Sequence, residues 1–182
     1  MDERELVRRC RAGDLPAFEA LFRQHAPRVL QTAYLILGDR QMAEDVMQDA
    51  FAQTFRVIGQ LREPEAFRSW LYKMTIRRAW QQAARERTQQ EAARRLGALP
   101  SEAGPSPYDE VERRRLVADA VLQLPAQQRA AVVLFYFDDR PLGEIAAILA
   151  APEGTVKSWL HRAKATLARL LGEPQPTVGG EH

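Results

Sequence analysis

The chain has 182 residues, 26 Lys and Arg against 24 Asp and Glu, three His and a single Cys, a length that suits one large domain or two small ones. A lone Cys10 excludes an internal disulfide and a cysteine zinc cluster, and His25, His161 and His182 lack metal-ligand spacing, so neither metal nor other cofactor is expected. The longest apolar run, Ala130 to Phe137, is too short to cross a bilayer and no apolar leader opens the chain, which predicts a soluble cytoplasmic protein.

Charge is segregated. Lys and Arg stand against Asp and Glu as 15 to 12 over residues 1–87, 2 to 5 over 88–112, and 9 to 5 over 113–171. Basic blocks are thus separated by an acidic joint. Arginine greatly outnumbers lysine, which suits bidentate contacts to phosphate or carboxylate and also follows from genomic base bias. There is no phosphate-cradling glycine loop, HExxH or GxSxG, and neighbouring acids such as Glu44 and Asp45 do not face one site, so no catalytic residue is nominated and no enzyme is expected.

A first helix is predicted over Glu3 to Arg11, with Cys10 in the core beside Leu6 and Val7. It ends at Gly13; Asp14 caps the next helix and Pro16 sits just inside that one. Phe18, Leu21, Phe22, Val29, Leu30, Ala33, Tyr34 and Leu37 make a long apolar face, which Pro27 is expected to kink or split. Gly38 and Asp39 close it. A third helix, from about Met42 to Ile58, is expected to bury Val46, Met47, Ala50, Phe51, Thr54 and Phe55. Its other side carries Glu44, Asp45, Gln48, Asp49 and Gln53, which without further information is a solvated face.

The stretch GQLREPEA, residues 59–66, reads as a loop, and Pro64 marks the restart of a helix from about Glu65 into Arg87 that TQQEAARRL can extend. Phe67, Trp70, Leu71 and Met74 give its core stripe. Projected at about 100° per residue, Lys73, Arg77 and Trp80 share a face away from that stripe. Charge for a backbone and a ring for a base are what single-stranded nucleic acid requires; packing of Trp80 on the first helix is the competing reading. From Gly97 to Asp109 the sequence has prolines, glycine and serines without apolar period, as a flexible linker has. Leu116, Val117, Ala120, Val121 and Leu124 begin a second apolar unit. Pro125 stops that helix before another from Ala126 to Phe137, in which Arg129 is the polar contact.

Leu142, Ile145, Ile148 and Leu149 fall at helical spacing behind Pro141. Pro152 biases Ala151 away from helical angles, and a new helix begins near Glu153. Val156, Leu160, Ala163 and Leu167 form its core stripe. Lys157, Ser158, His161, Arg162 and Lys164 lie off the stripe, and no carboxylate interrupts Val156 to Leu171. Two helices split by a short break, the second basic on one side, read as a helix-turn-helix; a hairpin with a solvated basic face is the plainer alternative.

LGEIAAIL followed by PEGTVKSWLHRAK resembles region 4 of the extracytoplasmic-function (ECF) group of sigma-70 factors. LGDRQMAEDVMQDAFAQTF resembles the region 2 segment that docks on the clamp helices of the polymerase β′ subunit, FRSWLYKM the F-x-S/T-W-L-Y-x-I signature after it, and LQLPAQQRAAVVLFYF the lead-in to region 4. Ala150 stands where the family usually has a turn glycine and Trp159 where it usually has arginine. Arg77 and Gln81 replace the usual asparagine and aspartate.

The resemblance implies an all-α protein of two small helical domains: a region 2-like unit over 1–96, a linker over 97–109, a region 4-like unit over 110–171, and a disordered tail over 172–182. It implies a sigma factor that binds core RNA polymerase through its β′ clamp helices and β subunit, recognises promoter DNA both duplex and melted, and is held by an anti-sigma factor. Residue by residue it assigns polymerase contacts to Glu44, Asp45, Gln48 and Asp49. It assigns the −10 element to Arg62, Arg68, Lys73, Arg77 and Trp80, and the −35 element to Thr155, Lys157, Ser158, His161 and Arg162. The rival is a helix-turn-helix regulator with no polymerase role, which leaves the acidic helix and SWLYKM unexplained.

Overall fold

The computed structural model describes residues 2–95 and 109–172. The linker expected over 97–109, save Asp109, and the tail expected over 172–182, save Gly172, lie outside the described residues. Within them the chain forms α1 (Glu3–Arg11), α2 (Leu15–Leu37), α3 (Arg40–Val57), α4 (Phe67–Arg95), α5 (Asp109–Leu122), α6 (Ala126–Val132), α7 (Leu142–Leu149) and α8 (Glu153–Leu171).

The helix starts obey local chemistry. Asp14 accepts from the Ala17 N–H at 3.1 Å and Asp39 from the Met42 N–H at 2.8 Å, each satisfying one orphan donor, so α3 begins two residues earlier than expected. Gly38 ends α2 at φ 75°, an angle that favours glycine. Pro27 does not split α2, which is continuous from Leu15 to Leu37. Pro27 is exposed, so the hydrogen bond it removes is lost on the solvent side, where water replaces it. The expected loop at 59–66 holds two 3-10 turns, Ile58–Gln60 and Pro64–Ala66, and α4 starts only at Phe67. It then runs to Arg95, past Arg87.

One apolar cluster joins α1 to α2, α3 and α4 through Leu6, Val7, Leu21, Phe51, Phe67 and Leu71. Each such side chain, once buried, contributes about 1.5–3 kcal/mol. Cys10 is buried there as expected, and burial, reinforced by Asp14, pushes its thiol up to about 11. Phe55 departs from expectation: it is 45% exposed, its ring edge-on to Phe18 at 5.0 Å. Tyr34 and Leu116 are also exposed.

A second cluster crosses between the halves of the chain. Ile36, Val46, Tyr72 and Ile76 from the first half pack with Leu134, Ile145, Ile148 and Val156 from the second. A third places Leu35 of α2 among Val121, Leu124, Val133 and Ala163. The two halves therefore share one core instead of standing apart.

The predicted helix Ala126 to Phe137 is interrupted. Its last turn, Val133–Phe137, widens to a π-helical form, with the Asp138 N–H bonded to Val133 O at 3.1 Å and the Arg140 N–H to Leu134 O at 2.9 Å. The widening brings Asp138 against α2 and α4, where Thr32 and Tyr72 meet its carboxyl.

Candidate nucleic-acid interface

In the helix-turn-helix, α7 ends at Ala150 in the left-handed region, φ 52° and ψ 47°, where a glycine would be unstrained. The Ala151 N–H still caps α7 through Ala146 O at 3.0 Å, so the turn keeps its form without the glycine. Val156 and Ala163 seat α8 on the core. At about 100° per residue, Lys157, His161, Ser158 and Arg162 fan over about 140° on the side away from that line. Lys157, His161 and Arg162 are exposed, while Thr155 and Ser158 are half-buried. Trp159 is half-buried and packs on the shared core at its edge. The exposed arc is cationic, and Glu153 in the first turn is the only carboxylate on α8.

On α3, Asp45 and Gln48 are exposed. Asp49 is also open, though Arg78 lies 3.6 Å from it while bonding Gln53 at 2.9 Å. Glu44 is taken by Arg40 at 2.9 Å. The four residues project to one side of α3, forming an acidic and amide face with Arg78 and Arg85 of α4 along its border.

The residues assigned to a melted strand are less uniform. Arg62 and Arg77 are exposed and Lys73 is half-buried. Arg68 is bonded to Glu3 at 3.0 Å. Glu3 also lies 2.9 Å from His25 Nε2, off the line of a good hydrogen bond. Burial of His25 pushes its imidazole toward the neutral form, against the pull of Glu3. Trp80 does not pack on α1: it lies against the shared core, with its Nε1 buried and without an acceptor.

A polar cluster of which the sequence reading named only Arg129 lies where the halves meet. Asp138 receives the Tyr72 hydroxyl at 3.1 Å, and its other oxygen is 2.8 Å from Thr32 Oγ1. Burial raises the Asp138 carboxyl above its ordinary range, and raises the Tyr72 hydroxyl too, with Asp138 adding to the second shift. The Arg140 guanidinium covers the Tyr72 ring at 4.4 Å and bonds Glu144 at 2.9 Å, and Ser69 donates to Glu144 at 2.6 Å. Arg129 donates to Leu124 O at 3.0 Å, to Leu122 O, and across the seam to Ile36 O. The available signal was the run Asp138-Asp139-Arg140 breaking an apolar stretch, with Thr32 and Tyr72 set on otherwise apolar faces.

The sequence matches sigma-70 region 2 over residues 21–89 and sigma-70 region 4 over residues 114–167. It is 35% identical to the ECF RNA polymerase sigma factor SigM of Mycobacterium tuberculosis, over 88% of this chain and 80% of that one. It is 30% identical to the ECF sigma factor SigW of Bacillus subtilis, over 91% and 94%. Among solved structures, CnrH in complex with the cytosolic domain of CnrY superposes with a TM-score of 0.73 at 22% identity, covering 95% of this chain and 99% of that one. The sigma factor RpoE of Bartonella quintana, in complex with the anti-sigma factor NepR, gives 0.71 at 22% identity, over 87% and 98%.

Proposed function

Because the chain belongs to the sigma-70 family, in the ECF group of RNA polymerase sigma factors, we propose that its two halves divide promoter recognition between the acidic face of α3, the cationic arc of α8 and the basic side of α4. It is an alternative sigma factor: it binds core RNA polymerase and directs promoter recognition, DNA melting and transcription initiation. The observation that carries this is the presence of both regions, 2 and 4, in one chain. Sigma factors are initiation factors and not catalysts, so bond formation belongs to the polymerase.

In this reading Asp45, Gln48 and Asp49, with Glu44 once Arg40 lets it go, meet basic residues of the β′ clamp helices. The first two are supported best, being exposed. The second half contacts the β subunit. Lys157, His161 and Arg162, with Thr155 and Ser158, read the −35 duplex: cations take phosphates, and only contacts to base edges set sequence choice. Arg62, Arg68, Lys73, Arg77 and Trp80 meet the −10 strand. An anti-sigma factor is expected to hold the free protein, as NepR does its partner. Its place of work is the cytoplasm; among the described residues no helix is long and apolar enough to cross a membrane.

The test is transcription in vitro with purified bacterial core polymerase across a promoter library, alongside a measurement of core binding. Wild type should direct initiation and Asp45→Arg with Asp49→Arg should lose core binding. Binding to duplex DNA without any engagement of core polymerase would sink the assignment.

A further inference from the structure

The register of α4 decides which side of it is free. Taking Ser69 as origin at about 100° per residue, Tyr72 falls near −60°, Ile76 near −20° and Trp80 near +20°, a single stripe, with Lys73 and Arg77 on its flank near +40° and +80°. The second half covers the stripe from Ser69 to Ile76, and Trp80 continues it into a core built by both halves. Glu144 takes the Ser69 hydroxyl at 2.6 Å, and Asp138 and Arg140 take the Tyr72 hydroxyl and ring. Ile76 is buried with Ile145 and Ile148 of α7, and Trp80 lies against that same cluster.

The other surfaces are not covered in this way. Asp45, Gln48 and Asp49 are exposed, as are Lys157, His161 and Arg162. Only the aromatic side of the surface assigned to a melted strand is closed off. Trp80 is also poorly seated, since its Nε1 is buried with no acceptor, a defect that leaving the seam removes.

We infer that the Trp80 side of α4 is a shared surface with two mutually exclusive occupants: the second half of this chain, and an unpaired DNA strand stacked on the indole. This rests on the reading of α4 given under Proposed function. The closed chain can present its acidic face and its duplex-reading helix, but it holds a melted strand only after α7 has lifted away. Competition of this kind weakens the apparent affinity by the fraction of open chain. If about 1% is open, single strands bind about 100-fold more weakly than the open form allows.

Ser69→Glu tests it by setting a carboxylate against Glu144. The added negative charge opposes DNA binding, so any gain in affinity cannot be electrostatic. Dyes on Arg56→Cys and Arg169→Cys, both at exposed positions with Cys10 buried, report the separation of the halves. Binding of a labelled 12-nucleotide single-stranded DNA pool of random sequence is monitored by anisotropy.

Ser69→Glu should open the chain and tighten single-strand binding at least 10-fold, and Trp80→Ala added to it should lose most of that gain. In the dye-labelled parent, single-stranded DNA should lower energy transfer while duplex DNA leaves it unchanged. That second measurement stands even if Ser69→Glu fails to fold or to open. Unchanged transfer on saturation with single strands, or a gain that survives Trp80→Ala, overturns the proposal. A chain that opens to single strands yet never engages core polymerase supports this competition and refutes the polymerase role of α3, so the two readings fail separately.

Discussion

At the scale of the residue, Asp138 carries a proton argument. The Thr32 hydroxyl lies 2.9 Å from Arg28 O and 2.8 Å from Asp138 Oδ2, and its one proton serves only one of these acceptors. A protonated Asp138 would resolve the conflict by donating to Thr32, in keeping with the upward shift that burial causes and that the Thr32 and Tyr72 hydrogen bonds, with nearby Arg140 and Arg28, oppose only in part. An acid whose folded pKa is raised contributes stability that is complete below its ordinary value and is lost as pH rises through the folded value. Asp138→Asn keeps a donor toward Thr32 and an acceptor for Tyr72. It should therefore be more stable than wild type at pH 7.5, by about 1 kcal/mol, with the gap closing toward pH 4. Urea unfolding over a pH series checks this; a variant weaker at pH 7.5 would mean that the seam needs the ionised carboxylate. At Ala150, φ 52° strains a side chain, so Ala150→Gly should raise stability by about 1 kcal/mol, read as an increase in Tm.

At the scale of the element, Arg129 ties the end of α5 to the end of α2. Arg129→Met leaves three carbonyls without their donor and should cost about 2–4 kcal/mol in chemical unfolding, well above the effect of an exposed arginine. On α8, Arg162→Ala should reduce the salt slope of duplex binding by about 1, as loss of one phosphate contact does, if Arg162 serves the backbone. An unchanged slope with altered sequence preference would move Arg162 to the base edges. Helices were the most legible part of the sequence, because caps and breaks are local: Asp14, Asp39, Gly38 and Pro125 each declare a boundary. The π turn at Val133–Phe137 was not, since Asp138 is drawn out of register by Thr32 and Tyr72, 106 and 66 positions away. Phe55 read as core because spacing places it on the apolar side of α3, yet spacing does not say where the neighbouring helix stops.

At the scale of the whole molecule, the shared core makes the halves unfold together. Calorimetry of the full chain should show one transition, and Ser69→Glu should split it in two if the seam is what couples them. The acidic side of α3 and the cationic side of α8, proposed above as contact faces, were legible as charged faces because they are composed of side chains that one helix sets out by itself. The seam was not, because each of its members looks ordinary alone: a serine and a tyrosine on α4, a threonine on α2, an acid after an apolar run. Trp80 admits two readings from sequence for the same reason, since the cluster it lies against draws its members from both halves of the chain.

Gly38 bears on the history of such a chain. A Cβ built there would lie 2.7 Å from Cδ1 of Leu122, so the corner of α2 and the end of α5 fit without spare room. A gene that recombined this first half with the second half of a distant relative would place a foreign side chain against that corner. Gly38 is free of that conflict, so a second half is expected to fit this corner only if its counterpart of Leu122 leaves the glycine its room, which makes the joint a steric condition on exchanging halves.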